Sequence, residues 1–118
     1  MRGISIVLGC LSALCAGAAS AELTKVSKQS EFVRLVSGKT LSRPMVRLIV
    51  TDDGNISGKG LKWNVTGHWT WRDGYFCREI SWGGDDMGYN CQEVRAKGGR
   101  IRFTLDRGKG ESAEFRLK

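Results

Sequence analysis

Apolar and polar residues alternate with a period of two along most of the chain after residue 40. Successive side chains of a β-strand point to opposite faces, so this alternation predicts half-buried antiparallel strands. Four series carry the pattern: Val46, Leu48 and Val50; Leu61, Trp63 and Val65; Ile101, Phe103 and Leu105; and Ala113, Phe115 and Leu117.

A helical period marks one short segment before these strands. Phe32, Leu35 and Val36 have helical spacing within residues 27–36. Ser27 stands where an N-cap is expected, and Gly38 stands where a left-handed C-cap is expected. The segment therefore predicts one amphipathic helix, and its single apolar stripe should lie against a sheet or close one end of a barrel.

Turn signals separate the predicted strands, and all but the first two stand 8 to 15 residues apart. They are Asp53-Gly54, Gly58-Lys59-Gly60, Asp73-Gly74, Gly83-Gly84, Gly98-Gly99 and Gly108-Lys109-Gly110. The chain has 16 glycines, one proline and no internal repeat, and the pattern indicates about seven strands. The predicted fold is all-β with one short N-terminal helix, an antiparallel β-meander that forms a small barrel or a strongly curved sheet.

The first 21 residues have the pattern of a cleaved signal peptide. A positive charge at Arg2 precedes an apolar run, and Ala19-Ser20-Ala21 fits the small-x-small cleavage rule. We expect cleavage after Ala21, which leaves residues 22–118 as a single barrel-like domain. The apolar run is shorter than the ~20 residues that a permanent anchor needs. The sequence thus predicts a periplasmic or secreted protein with no membrane span after cleavage.

Cleavage leaves two cysteines, Cys77 and Cys91, and two cysteines in an exported domain predict one disulfide. Zinc needs about four ligands, and His68 with two thiolates supplies too few, so no metal site is expected. The 13 residues between the cysteines exclude a Cys-x-x-Cys redox motif.

Direct antiparallel pairing of the two cysteines fixes the register of their strands, which are joined through a glycine-rich loop over residues 83–88. Positions whose numbers sum to 168 then face each other. The predicted partners are Tyr75 with Glu93, Phe76 with Gln92, Arg78 with Asn90, and Glu79 with Tyr89.

The predicted mature chain is basic, because removal of Arg2 leaves 18 Lys and Arg against 12 Asp and Glu. A basic exported protein meets anionic envelope components or acidic protein surfaces, whereas its compartment excludes nucleic acid. The alternative is a solvated basic surface that serves solubility.

The leading functional hypothesis is a non-enzymatic periplasmic binding or inhibitor module. The disulfide clamps the base of a glycine-rich loop from Trp82 to Tyr89 that carries Asp85 and Asp86. This loop, with a basic strand face, would contact an anionic or protein partner. The acidic pair lacks the alternating ligands of a calcium loop, and a solvated hairpin tip is the simpler interpretation of it.

The alternative hypothesis is a carrier of a small lipid or saccharide. Arg78 shares a strand face with Phe76, Ile80 and Trp82, so it either lines a ligand cavity or stacks on an aromatic ring and pairs with a carboxylate. Trp69, Trp71 and Trp82 would line such a cavity, or they fill the core of a small barrel.

An enzyme is the class least supported by the residues. No Ser or Cys nucleophile stands in a recognisable motif beside His68. A match to the dinucleotide fingerprint from Gly108 to Ala113 has only five residues after it, too few for a βαβ unit, and no cofactor is expected.

Several segments also carry a resemblance that covers nearly the whole predicted mature chain. They are Phe32-Val33, Leu35-Val36-x-Gly38-Lys39-Thr40-Leu41, Gly67-x-Trp69-x-Trp71-x-Asp73-Gly74-Tyr75-Phe76-Cys77-Arg78, Trp82-Gly83-Gly84 and Cys91-Gln92-x-Val94. Together these motifs resemble short exported proteins of alphaproteobacteria. Some of those bear the name dihydrodipicolinate reductase, an activity whose dinucleotide-binding unit this sequence lacks. A looser similarity to lipocalin-like domains and to periplasmic protease or lysozyme inhibitors concerns architecture alone.

Overall fold

A computed structural model describes residues 22–118, so the predicted signal peptide lies outside the described residues. Within residues 22–118 there are nine strands, rather than about seven, and two short helices. In chain order they are β1 (Thr24–Lys25), α1 (Gln29–Val36), β2 (Leu41–Arg43), β3 (Val46–Val50), β4 (Asn55–Gly60), β5 (Trp63–Arg72), β6 (Tyr75–Trp82), β7 (Asp85–Lys97), β8 (Arg100–Thr104), α2 (Leu105–Gly108) and β9 (Ser112–Leu117).

Strands β2 to β9 form a closed eight-stranded antiparallel barrel. Each strand pairs with its neighbour in the sequence, and the pairing of β9 with β2 closes the sheet. The short β1 adds to the outside of β7. The predicted fold class, an all-β meander with a short N-terminal helix that closes into a small barrel, is confirmed. Closure pairs the strands that would otherwise be the edges of the meander.

The long strand β7 changes partners halfway along its length. Residues 85–92 pair with β6, whereas residues 93–97 pair with β8. Where β8 stops, α2 lies beside β7, and Asp106 and Arg107 have left-handed backbone conformations. Asn90 and Asp106 exchange two hydrogen bonds of 2.8 and 3.0 Å. These bonds attach α2 to β7 at the position opposite Arg78.

Helix α1 packs on the barrel through Phe32 and Val36, both of which are buried. The Phe32 ring contacts four other aromatic rings at centroid distances of 5.1 to 6.3 Å. The predicted amphipathic helix is therefore confirmed, with Gly38 in the left-handed conformation after its end. The predicted N-cap is wrong, because Lys28 takes that position and makes no side-chain capping bond. The Ser27 carbonyl instead accepts a hydrogen bond from the Trp71 indole.

Of the predicted turns, Asp53-Gly54, Asp73-Gly74 and Gly98-Gly99 do join neighbouring strands, but the turn at residues 58–60 is wrong. Gly58 and Gly60 lie inside β4, and the chain reverses at Leu61-Lys62 instead. Gly58 is required within the strand because a Cβ atom there would collide with the carbonyl oxygen of Arg47. The turn has no glycine, and Leu61 itself adopts a positive φ of 58°. Leu61 and Trp63 are consequently exposed rather than alternating into the core.

The glycine-rich loop predicted over residues 83–88 is also wrong. Gly83 and Gly84 form a two-residue turn with φ angles of 60° and 90°, and β7 begins at Asp85. The register shifts between Glu79 and Ser81, because one more residue of β7 than of β6 lies between the flanking pairs. Such a β-bulge absorbs the extra residue and twists the strand locally. The segment is a bulged hairpin rather than a loose loop.

The predicted disulfide between Cys77 and Cys91 is confirmed, with Cα atoms 3.9 Å apart. The predicted register is confirmed from Phe76 to Glu79. The predicted pair of Tyr75 with Glu93 is wrong, since the ladder between β6 and β7 ends at Phe76 and Glu93 pairs with Thr104 of β8. Phe76 faces Gln92, Arg78 faces Asn90, and Glu79 faces Tyr89. The covalent link therefore lies between the position of Gln92 and the position of Arg78, two polar residues whose side chains both turn into the barrel.

Candidate ligand-binding site

The inward face of the barrel holds a cavity of about 420 Å³ that is open to solvent. This volume falls within the range of roughly 300–1,000 Å³ that is usual for small-molecule sites. Most of its lining is apolar and comes from alternate positions of β2, β3, β4, β6, β8 and β9, namely Leu41, Leu48, Val50, Ile56, Phe76, Ile80, Phe103, Ala113 and Phe115, with Leu105 from α2. The cavity is thus built by the inward faces of the strands, as their period of two dictates.

Arg78 is the charged residue of the cavity wall. It follows Phe76 and precedes Ile80 on the inward face of β6, and its side chain is half-buried. Its Nη1 atom donates one hydrogen bond of 2.9 Å to the carbonyl oxygen of Gly88, at the β-bulge. Within residues 22–118 no carboxylate forms an ion pair with this guanidinium. Burial lowers the pKa of Arg78, which is the signature of a cation that has lost water without gaining an anion.

Gln92 is the second polar group in the wall. Only 6% of its surface is exposed, yet its amide makes no hydrogen bond with any residue of the range 22–118. The amide atoms keep contact with solvent in the cavity, since no fully buried side-chain nitrogen or oxygen among residues 22–118 lacks a hydrogen-bond partner. The β6–β7 register puts Gln92 opposite Phe76, two positions from the Arg78 pair. The two side chains therefore offer several free donors and one free acceptor to the same cavity.

The rim of the cavity is polar and open to solvent. Arg43, Glu111 and Ser112 line it and are exposed. The Arg43 guanidinium lies 5.6 Å from the centre of the Phe115 ring, a cation–π distance. Among residues 22–118, Glu111 forms an ion pair with neither arginine of the cavity. A ligand entering the barrel would thus pass a polar rim, with one arginine and one glutamate, before it reaches the apolar interior.

The carrier hypothesis expects Trp69, Trp71 and Trp82 to line this cavity, but they do not. Trp69 is buried beside Phe32, and its indole donates a 2.8 Å hydrogen bond to the Thr51 carbonyl. Trp71 faces the same side and stacks on Phe32. Trp82 lies beyond the bulge, packs edge-on against Trp63 and donates to the carbonyl of Gly60. Phenylalanines supply the aromatic surface of the cavity instead.

The acidic hairpin residues lie away from the cavity. Asp85 borders a separate small depression beside Trp63 and Trp82. Asp86 accepts a 2.8 Å hydrogen bond from the Gly88 backbone amide and so stabilises the bulge. Tyr89 is exposed on the outer face, with its hydroxyl 3.4 Å from the sulfur of Cys91. Of the seven candidate binding residues, only Arg78 lines the cavity.

Gln92 was not among the candidate residues, although the sequence held a signal for it. Pairing the two cysteines had placed it opposite Phe76, on the face that also carries Arg78. A glutamine in an otherwise apolar inward series is the pattern that indicates a polar group inside a barrel. Arg43 and Glu111 had no such signal, because the curvature that brings β2 and β9 to one rim depends on closure of the whole barrel.

The described part of the chain holds no group of three or more His, Cys, Asp or Glu residues placed to bind a metal ion. His68 is exposed on β5 and lies outside the cavity lining. No helix within residues 22–118 is long and apolar enough to cross a membrane. What the arrangement offers chemically is an apolar volume with hydrogen-bond donors fixed in its wall.

Comparison with known proteins found no matching family model, no matching curated protein and no matching solved structure. The resemblance to short exported proteins of alphaproteobacteria therefore stays a prediction.

Proposed function

We propose that this protein is a non-enzymatic carrier that binds a small apolar molecule with an anionic head inside its barrel. The observation that carries the proposal is that Arg78 and Gln92 face an otherwise apolar cavity with most of their hydrogen-bond donors unpaired among residues 22–118. An anionic group placed beside them would supply the missing acceptors. The ligand's apolar body would occupy the space between the phenylalanine rings.

The charge of the cavity favours an anion over a neutral or cationic head. Two arginines and one glutamate line it, and neither arginine has a carboxylate partner within residues 22–118. A guanidinium presents donors in a planar fork that matches a carboxylate or sulfonate. A desolvated cation is also stabilised most by an opposite charge that enters its own low-dielectric surroundings.

The apolar lining favours a lipid-like molecule over a saccharide. Sugars carry a hydroxyl on nearly every carbon and need many hydrogen-bonding partners once buried. Five of the fifteen lining residues are polar or charged, and three of these lie at the exposed rim. A short fatty acid or an aromatic anion fits this distribution, because its single polar end can reach Arg78 while the rest contacts apolar side chains.

Replacement of Arg78 by methionine is expected to weaken binding of anilinonaphthalene sulfonate, a fluorescent apolar anion, by about 10- to 100-fold. A hydrogen bond to a charged group contributes roughly 1.5–3 kcal/mol, which corresponds to that factor. The measurement is a fluorescence titration of both proteins, with displacement by decanoate. The probe must carry the fluorophore, because no tryptophan lines the cavity.

Two controls separate the role of Arg78 from general damage to the fold. Neutral N-phenylnaphthylamine should bind wild type and Arg78→Met alike, since its binding needs only the apolar lining. Arg72→Met removes an exposed arginine outside the cavity and should leave both probes unaffected. Equal loss of both probes, or equal sulfonate binding by wild type and Arg78→Met, would reject Arg78 as the group that recognises the anion.

The hypothesis of a binding or inhibitor module that uses the Trp82 to Tyr89 hairpin stays a prediction. Export to a periplasmic or secreted location is likewise proposed, supported by the signal-peptide pattern and by a disulfide that is stable in oxidising compartments. A carrier needs no contact from the hairpin tip. The carrier hypothesis therefore predicts that substitution of Arg78 abolishes binding, whereas the hairpin hypothesis predicts that substitution of Tyr89 does so. Decanoate binding that survives substitution of Tyr89 but not of Arg78 would favour the carrier.

A further inference from the structure

The outer face of the barrel carries basic side chains in one row across four strands. Lys59 of β4 faces Arg47 of β3, Arg47 faces Ser42 of β2, and Ser42 faces Arg116 of β9. Like charges directly opposite each other destabilise a sheet. The charges of Arg47 and Lys59 therefore do not stabilise the pairing of β3 with β4, which points to a role outside folding.

An acidic residue, Glu114, stands two positions before Arg116 on β9, and its carboxylate pairs with Arg100 and Arg102. A groove on the same face is lined by ten residues, of which five are basic and none is acidic: Ser42, Arg43, Pro44, Met45, Val46, Arg47, Lys59, Leu61, Arg116 and Lys118. Within residues 22–118 none of these five cations forms an ion pair. The groove is a region of positive potential that complements an anionic surface.

Two turns beside the groove expose large apolar side chains. Met45, between β2 and β3, is 72% exposed, and Leu61, between β4 and β5, is 53% exposed. The turns touch, since the Leu61 amide donates a 2.7 Å hydrogen bond to the Met45 carbonyl. Trp63 follows with 44% exposure, and the Lys62 ammonium lies 5.3 Å from the centre of its ring. The three side chains form an apolar tip that is flanked by Lys62 and, beside Trp63, by Asp85.

The backbone conformation at both turns is unfavourable for large apolar side chains. Met45 and Leu61 have positive φ angles of 68° and 58°. Glycine and asparagine adopt this conformation at little cost, whereas a large side chain is strained in it. At both turns the chain thus holds an apolar residue where a smaller or polar one would be more stable and more soluble.

We infer that this face docks on the surface of an anionic lipid bilayer. The apolar tip would enter the interface between headgroups and acyl chains, where methionine, leucine and tryptophan are favoured. The basic row would lie over the anionic headgroups, each cation adding to the attraction. A soluble polyanion would use the basic row but leave the apolar tip exposed, so a bilayer accounts for both features. This inference does not depend on the barrel cavity.

Vesicle co-sedimentation tests the inference on residues 22–118 with an intact disulfide. The protein should bind vesicles that contain phosphatidylglycerol and should bind pure phosphatidylcholine vesicles at least 10-fold more weakly. The variant Met45→Asn/Leu61→Asn, which relieves the backbone strain, should melt no lower than wild type and bind the anionic vesicles at least 10-fold more weakly. The variant Arg47→Gln/Lys59→Gln should bind the anionic vesicles about 10- to 30-fold more weakly than wild type, and its affinity should depend less on salt concentration.

Matched controls carry the same changes elsewhere. Met87→Asn alters another exposed methionine, on β7, and Lys28→Gln/Arg34→Gln removes two cations beside or within α1. Both should bind vesicles as wild type does. Absence of binding to anionic vesicles by wild type would overturn the inference. Full vesicle binding by Met45→Asn/Leu61→Asn would also overturn the inference. If soluble dextran sulfate then displaced wild type and this variant from the vesicles equally well, the face would be identified as a polyanion site.

Discussion

Replacement of Phe32 by alanine is expected to lower the free energy of unfolding by about 3 to 5 kcal/mol. Phe32 is completely buried and is the residue through which α1 enters the aromatic cluster of the barrel. Its ring contacts those of Trp69, Trp71, Phe76 and Phe103. The four surrounding rings cannot all move into the space that the removed ring leaves, so a cavity remains. The lost stability therefore includes the cost of this cavity as well as the lost transfer free energy of the side chain.

Chemical denaturation of residues 22–118 measures this loss, and Val33→Ala is the matched control. Val33 is the next residue of α1, and it packs only partly against the core. Its truncation should cost about 1 kcal/mol, near the average for a point mutation. If Phe32→Ala cost no more than Val33→Ala, the aromatic cluster would not be what holds the helix on the barrel.

Reduction of the Cys77–Cys91 disulfide is expected to cost about 3 kcal/mol, the chain-entropy value for a loop of about this length. For a domain of this size the melting temperature should fall by about 10 to 20 °C. The fold should persist at low temperature, because the β6–β7 pairing and the aromatic core remain. Thermal melts with and without reductant, beside mass-spectrometric mapping of the disulfide, provide the measurement.

The disulfide also bears on the cavity, since it lies between the positions of Arg78 and Gln92. Reduction should therefore weaken anion binding at temperatures where the barrel is still folded. The double variant Cys77→Ala/Cys91→Ala should melt like the reduced protein and show no further response to reductant. Free thiols in the protein as isolated, or an unchanged melting temperature after complete reduction, would contradict the role given to this link.

Local patterns in the sequence predicted the parts of the fold that local forces determine. The hairpin at Asp73-Gly74 followed from turn chemistry, and the β6–β7 register followed from the two cysteines. The turn at Leu61 could not be predicted in this way. A leucine carries no turn signal, although this one adopts a positive φ, and the glycines before it suggested a turn at the wrong position. Gly58 marks a close approach between strands rather than a turn, which only the paired sheet reveals.

The candidate site was predictable in part for the same reason. Arg78 was found because it interrupts an apolar series on one strand, a feature visible within a few residues. The size of the tryptophans is compatible with either a cavity lining or core packing, because which large side chains face a cavity depends on barrel curvature and on the position of α1. Trp69 and Trp71 pack against Phe32 of α1. Phe103 and Phe115, and not these tryptophans, line the cavity.

The most direct test of the carrier proposal is the nuclear magnetic resonance signal of the two polar side chains in the cavity wall. With increasing decanoate, the Gln92 side-chain amide and the Arg78 Nε–H signals should shift together, saturably and with one dissociation constant. The side-chain amide of Asn64, exposed on β5, should not shift. Saturable binding that leaves both the Gln92 and the Arg78 signals unmoved, or no binding of decanoate at all, would contradict the account.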